Sequence, residues 1–380
     1  MYNELNNPVA CEWHVGQLLR ALALLRDGRP SPMVVRDTSN IQWITAFDDV
    51  FDDEAAHALY ISGDRAVLHT DSRYATACEQ AAQRTPIRID TARESHAAFV
   101  ARQWNGSWLH GMPEAELQVE DTISLAEYRA LQKAFPPDFP LGETDGVVLR
   151  LRAVKDPYEV ARMRAAQAIT DAAFEHIVRF MKPGQTEREV QLELEQFMLR
   201  HGAQGLAFPS IVATGANGAS PHAIPGSTVL EAGQCVVLDF GARAYGYCSD
   251  MTRTVFLGEP EGSMRAAWDT LRAANEAVEA MLAPGVTGKE AHERAEAVLA
   301  EGGFAGKMGH GLGHGVGIDI HEEPVLAPRN EQPLVAGNVV TVEPGIYLPG
   351  QFGMRLEDFG VITDDGFDVF TQSTHEMVVI

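Results

Sequence analysis

Apolar positions recur at helical spacing over residues 10 to 27, where Val15, Leu18, Leu19, Leu22 and Leu25 form one stripe that Asp27-Gly28 ends. Short strand-like runs come next, at Met33-Val34-Val35, Ala58-Leu59-Tyr60-Ile61 and Ala66-Val67-Leu68. The last two flank Ser62-Gly63-Asp64-Arg65, whose glycine and aspartate suit a hairpin turn. Helical stretches near 72 to 83, 93 to 103 and 124 to 134 alternate with further short apolar runs, which predicts an α/β domain of about 150 residues. The segment Phe135-Pro136-Pro137-Asp138-Phe139-Pro140 and the run to Gly146 read as a boundary. Residues 1–148 and 149–380 are therefore expected as two domains.

The second domain opens on Asp156-Pro157, an N-cap followed by proline at the first helical position. Val160, Met163, Ile169, Phe174, Ile177 and Phe180 then give a broad apolar stripe that stops at Lys182-Pro183-Gly184. An internal repeat begins at this stop. Pro183-Gly184-Gln185-Thr186-Glu187-Arg188-Glu189 recurs as Pro284-Gly285-Val286-Thr287-Gly288-Lys289-Glu290, each a capping box opening an amphipathic helix. His222-Ala223-Ile224-Pro225 recurs as His321-Glu322-Glu323-Pro324. The stretch from Leu230 to Asp239 recurs from Leu334 to Glu343, and all three matches lie about a hundred positions apart, in the same order. This predicts two copies of a helix, a His-bearing strand and a carboxylate-bearing hairpin, related by a pseudo-twofold. The fold class expected is α/β (α+β).

Composition adds exclusions. With 53 acidic against 30 basic residues and a formal charge of −23, nonspecific nucleic-acid binding is disfavoured. Cys11, Cys78, Cys235 and Cys248 show neither disulfide nor metal-knuckle spacing and read as structural thiols of a reducing compartment. No apolar run has the length of a spanning helix, and Met1-Tyr2-Asn3-Glu4-Leu5 lacks signal-peptide order, so a cytoplasmic protein without membrane contact is expected.

The chemistry gathers on the glycine-rich run from Gly309 to Glu322, which holds His310, His314 and His321. Imidazole is the commonest metal ligand, and the repeat supplies carboxylates to accompany it. Asp239 and Glu343 each end an apolar run, in matched positions, so each is forecast at the buried end of a strand. Asp250 and Glu357 lie beyond turns containing Gly246, and Gly350 and Gly353, and return to the same centre. Four buried carboxylates repel one another unless cations sit between them, which points to two divalent ions about 3.5–4 Å apart. His314 is the candidate neutral ligand, because Gly313 and Gly315 leave its backbone room beside a metal. Such a centre suits amide hydrolysis, with Glu343 placed to take a proton from water, and His222 and His321 placed to stabilise the intermediate and protonate the leaving nitrogen. The remaining histidines, His57, His110 and His375 among them, read as core or surface groups without function.

These residues resemble a known family. His310-Gly-Leu-Gly-His314-Gly-Val-Gly-Ile-Asp-Ile-His321-Glu-Glu-Pro324, with Asp239-Phe-Gly-Ala, Ser249-Asp250-Met-Thr-Arg, Thr341-Val-Glu343-Pro-Gly and Arg355-Leu-Glu357-Asp358, is similar to the pita-bread metallopeptidases, in the prolidase and aminopeptidase P branch. The family's metal-ligand positions match as Asp239, Asp250, His314, Glu343 and Glu357. Asn40-Ile-Gln-Trp43-Ile-Thr45-Ala46-Phe47 and Thr70-Asp71-Ser72-Arg73-Tyr74 resemble the creatinase-type N-terminal domain, although Ala46 stands where that family usually has glycine.

The resemblance implies cleavage before a proline in second position, with two divalent ions per subunit: manganese first, cobalt or zinc as alternatives. It also implies a homodimer in which one subunit's N-terminal domain borders the other's active site. Arg355 and His310 would face substrate and His222 would shuttle protons. Methionine aminopeptidases share the ligands but lack this N-terminal domain, and creatinase shares the architecture without the metals. The function expected is that of an Xaa-Pro dipeptidase, whose substrate carboxylate Arg355 would meet from the same strand face as Glu357; the alternatives are an Xaa-Pro aminopeptidase acting on longer peptides and, behind it, a non-catalytic binding protein on the same fold.

Overall fold

The computed structural model describes residues 8–25, 31–52, 54–107, 115–260 and 262–380; the Asp27-Gly28 stop and His110 lie outside them. The chain divides into two compact units after Arg152. The helix Val147–Arg152 runs across the 148/149 boundary expected from composition and completes the first unit.

In the first unit a six-stranded sheet runs in the order Ile87–Asp90, Arg65–His69, Ala58–Ser62, Met33–Val35, Leu117–Val119, Leu141–Glu143. The hairpin foreseen at Ser62-Gly63-Asp64-Arg65 pairs Ser62 with Arg65 in antiparallel register. Helices His96–Asn105 and Leu125–Ala134 begin at Ser95 and Ser124, whose hydroxyls accept backbone N–H groups of the first turn. They pack Phe99, Val100, Trp104 and Leu131 on Val34, Tyr60 and Leu117 of the sheet. The helix Thr38–Thr45 was not evident from periodicity, because it is short and its start depends on a distant residue. Buried Glu120 accepts from the backbone N–H groups of Arg36 and Asp37, at 2.5 and 2.9 Å, and from Asn40 Nδ2 at 2.6 Å. The helix closes on Ala46 in the left-handed conformation, φ 52°.

The second unit is built twice. Helices Pro157–Phe180 and Glu187–Arg200 pack on a sheet ordered Val378–Val379, Met251–Phe256, Cys235–Phe240, Ile211–Thr214. Helices Ser263–Glu279 and Gly288–Glu301 pack on a second sheet ordered Glu322–Leu326, Gly313–Gly315, Val339–Val342, Asp358–Thr363, Gly366–Val369. Both capping boxes are formed, Thr186 with Glu189 and Thr287 with Glu290. The hydrogen bonds around them also repeat: Gly184 N donates to Leu230 O and Gly285 N to Leu334 O, each at 2.9 Å.

One element differs from expectation. Neither histidine of the repeated His-x-x-Pro lies in a strand: His222 sits in a turn after the 3-10 helix Gly215–Ala219, and His321 in a bend before Glu322–Leu326. Prolines restrict these segments without supplying a ladder partner, so extended sequence character did not become sheet. Gly353, expected in a turn, belongs to the strand Phe352–Arg355, where a Cβ would lie 1.9 Å from Gly218 O.

Candidate metal centre

Asp239 is the penultimate residue of Cys235–Phe240, and its register partner Thr252 belongs to the strand that starts just after Asp250. Glu343 comes directly after Val339–Val342, and Glu357 precedes Asp358–Thr363, the strand paired with it. The antiparallel hairpins thus bring each acid of one strand beside an acid of the return strand. Glu357 N donates to Thr252 O at 3.1 Å, which joins the two repeats at this point.

Ligand atoms of Asp250, His314 and Glu357 lie within 4.8 Å of one another. His314 Nε2 is 3.6 Å from Asp250 Oδ2 and 3.5 Å from Glu343 Oε1. Its Nδ1 is 3.0 Å from the Gly315 carbonyl, and a proton on Nδ1 leaves the Nε2 lone pair facing the acids. Asp250 and Glu357 are 3% and 2% exposed, and their carboxyls are held well above the ordinary carboxylate range by burial and by the neighbouring acids. Burial likewise raises Glu343 and lowers His314. Asp239 Oδ1 is buried with no hydrogen-bond partner among the described residues. Oxygen-rich donors, one neutral imidazole and an orphaned carboxylate oxygen fit a divalent cation of the first transition row, which would satisfy all of them together.

Arg355 lies among these groups, but not through the shared strand face expected: the strand Phe352–Arg355 ends at it, and Glu357 lies between that strand and Asp358–Thr363. Its Nη2 bonds Asp239 Oδ2, and its Nε is 3.9 Å from Glu343 Oε2. The guanidinium also donates to Thr252 Oγ1 at 2.9 Å, Tyr347 Oη at 2.8 Å and Pro221 O at 3.3 Å. His310 Nε2 is 3.1 Å from the same Tyr347 hydroxyl. His321 is exposed, with its ring centroid 4.4 Å from that of His314. His222 is exposed beside Pro221, whose carbonyl Arg355 binds.

The glycines flanking His314 have a different purpose from the one expected. A Cβ at Gly313 would stand 2.1 Å from Thr341 O, and one at Gly315 would stand 2.4 Å from Glu323 O. They admit the adjoining chain segments, not a metal. Sequence reasoning also missed Thr252, Thr341 and Tyr347. Thr252 Oγ1 donates to Glu357 Oε2 at 2.6 Å, and Thr341 Oγ1 accepts from His314 N at 3.0 Å. Both threonines stand two residues from an acid, Asp250 or Glu343, so period-two alternation could have flagged them. Lys155 was missed as well. Buried, it bonds Glu322 Oε2 at 2.9 Å, next to His321. His375, assigned no function, has its Nε2 2.6 Å from Asp358 Oδ2, adjacent to Glu357.

Comparison with known proteins agrees with this geometry. Residues 161–364 match metallopeptidase family M24, and residues 17–154 match the creatinase/prolidase N-terminal domain. The Xaa-Pro dipeptidase of Lactobacillus delbrueckii subsp. lactis is 35% identical over 68% of this chain and 70% of its own. Among solved structures, an Xaa-Pro dipeptidase from Bacillus anthracis superposes with TM-score 0.87 at 34% identity, covering 97% of this chain and 100% of that one. An X-Pro aminopeptidase from Thermotoga maritima MSB8 gives TM-score 0.83 at 31% identity, covering 95% and 100%. A buried acid-and-imidazole cluster built by a duplicated fold, with these likenesses along both units, shows that the chain belongs to metallopeptidase family M24, enzymes of the pita-bread fold that use divalent metal.

Proposed function

We propose that this protein hydrolyses the peptide bond before proline, with Xaa-Pro dipeptides as its substrates and two divalent ions, manganese first, held by Asp239, Asp250, His314, Glu343 and Glu357. The observation that carries this is the convergence of buried acids and His314 Nε2 around the unpartnered Asp239 Oδ1. Bound there, the ions would supply an activated water and a Lewis acid for the scissile carbonyl. Glu343 receives the proton of the attacking water at a carboxylate oxygen. His222 and His321, on the exposed side of the cluster, donate hydrogen bonds to the developing oxyanion and relay the proton taken up by Glu343 to the proline nitrogen as the C–N bond breaks. Thr252 and Thr341 keep Glu357 and Glu343 oriented.

A second reading, an aminopeptidase acting on longer Xaa-Pro peptides, is favoured by one feature. The Arg355 donors already engage Asp239, Tyr347, Thr252 and Pro221, which suits a role in ordering the acids more than capture of a substrate carboxylate. Kinetics decide between the two: kcat/KM for an Xaa-Pro dipeptide is compared with that for its C-terminal amide and for peptides extended by one and three residues. A loss on amidation worth about 1.5–3 kcal/mol fits a charge-assisted contact to the dipeptide carboxylate. Equal or faster cleavage of the amide and the longer peptides establishes the aminopeptidase. A cytoplasmic homodimer is the form proposed, its oligomeric state checked by scattering in solution and its compartment by cell fractionation.

A further inference from the structure

Among the positions where the two copies of the repeat differ, one pair bears on the loop that carries His222. Glu187 and Gly288 are matched first residues of capped helices. In the second copy the glycine is needed for space, since a Cβ at Gly288 would lie 2.2 Å from Val325 O. In the first copy the side chain reaches into the loop that carries His222. Glu187 is 0% exposed. Its Oε1 accepts from Thr214 N and Asn217 Nδ2, both at 2.9 Å, and its Oε2 accepts from Asn217 Nδ2 at 3.0 Å and Gly226 N at 3.2 Å. One buried carboxylate therefore ties the entry of the loop to its exit. Turns continue the chain of contacts inward: Ser220 N donates to Asn217 O, and Ala223 N to Ser220 O. Ala223 is buried against Ile211 and Ala213, and Ile211 is the register partner of Asp239. His222 and Ile224, on either side of that anchor, are left facing solvent.

We infer that Glu187 is the positioning residue of His222: it clamps residues 214 to 226 so that the imidazole is held at the metal centre. The inference rests on the proton-transfer role proposed for His222. It explains why an acid, and not the glycine of the other copy, stands at this helix start. The His321 segment is held differently, by the ion pair of Lys155 with Glu322.

The test uses the full chain loaded with manganese and an Xaa-Pro dipeptide. Glu187→Ala is expected to lower kcat about 10- to 100-fold, with a smaller change in KM and unchanged metal content, as a misplaced catalytic group does. Glu187→Gln keeps one acceptor and should recover most of the loss. In a double-mutant cycle Glu187→Ala should cost nothing further once His222→Ala is present, because both act through one group. Additive losses, or wild-type kcat in Glu187→Ala, overturn the inference. Amide hydrogen exchange gives a readout free of substrate: in Glu187→Ala residues 214 to 226 should exchange faster while 313 to 326 keep their protection. Unchanged exchange across 214 to 226 also overturns the clamp. Wild-type kcat in His222→Ala at full metal content would instead defeat the role proposed for His222, and exchange alone would then decide the clamp.

Discussion

Thr252 shows how much one hydroxyl contributes at the centre. It is fully buried, donates to Glu357 and accepts from Arg355, so it fixes both an acid and the cation beside it. Thr252→Val keeps the shape and removes both bonds. Metal affinity is expected to fall about 10- to 100-fold, the usual cost of losing an outer partner of a ligand, and the melting temperature to fall as well, because the buried Arg355 Nε–H loses an acceptor. Titration of apoprotein with manganese measures the affinity directly. Asp239→Ala and Glu343→Ala should each abolish hydrolysis while the protein stays folded by circular dichroism. Full activity in chelated, metal-free protein would defeat the two-ion reading.

At the scale of elements, glycine matters for two different reasons, space at Gly313 and backbone conformation at position 46. Gly313 makes room for a neighbouring strand, and the methyl of Gly313→Ala would meet Thr341 O inside van der Waals contact. That strand also carries Thr341 and leads to Glu343, so the substitution should cost about 2–3 kcal/mol by denaturant unfolding and weaken metal binding as well. Position 46 is the opposite case. The left-handed Ala46 that closes Thr38–Thr45 costs about 1–2 kcal/mol relative to a relaxed backbone. Burial of its methyl returns about 0.8 kcal/mol. Ala46→Gly is therefore expected to raise the thermal midpoint modestly, and a lower midpoint would mean that methyl packing dominates.

Across the whole molecule, part of the acid sensitivity should come from the first unit. His57 is buried, with Nδ1 3.0 Å from Thr70 Oγ1, and burial pushes its pKa down to about 4; His96 is lowered to about 4 by burial as well. Both rings are neutral in the folded state, whereas in the unfolded chain they take up protons near 6.5. Their contribution to stability is complete above pH 6.5 and is lost as pH falls through about 4. Thermal midpoints measured at pH 7 and pH 4.5 should fall less in His57→Gln than in wild type. An equal fall in the two proteins would place the acid sensitivity elsewhere.

Sequence by itself determined the duplication, the capped helix starts of the second unit and the order of the acids along the chain. These arise from local rules: capping boxes satisfy their own first turn, and an acid ending an apolar run is carried to the buried end of a strand. Only the tertiary structure decided which groups meet across the molecule. Thr252 reaches Glu357, Tyr347 lies between Arg355 and His310, and Glu187 closes the loop of His222 because strand order and register bring distant segments together. It also reassigned Gly313 and Gly315, whose spacing suggested room for a metal but whose neighbours are backbone carbonyls. Periodicity states which face a side chain occupies, but not what stands opposite it, because the opposing segment is chosen by packing that involves the whole fold.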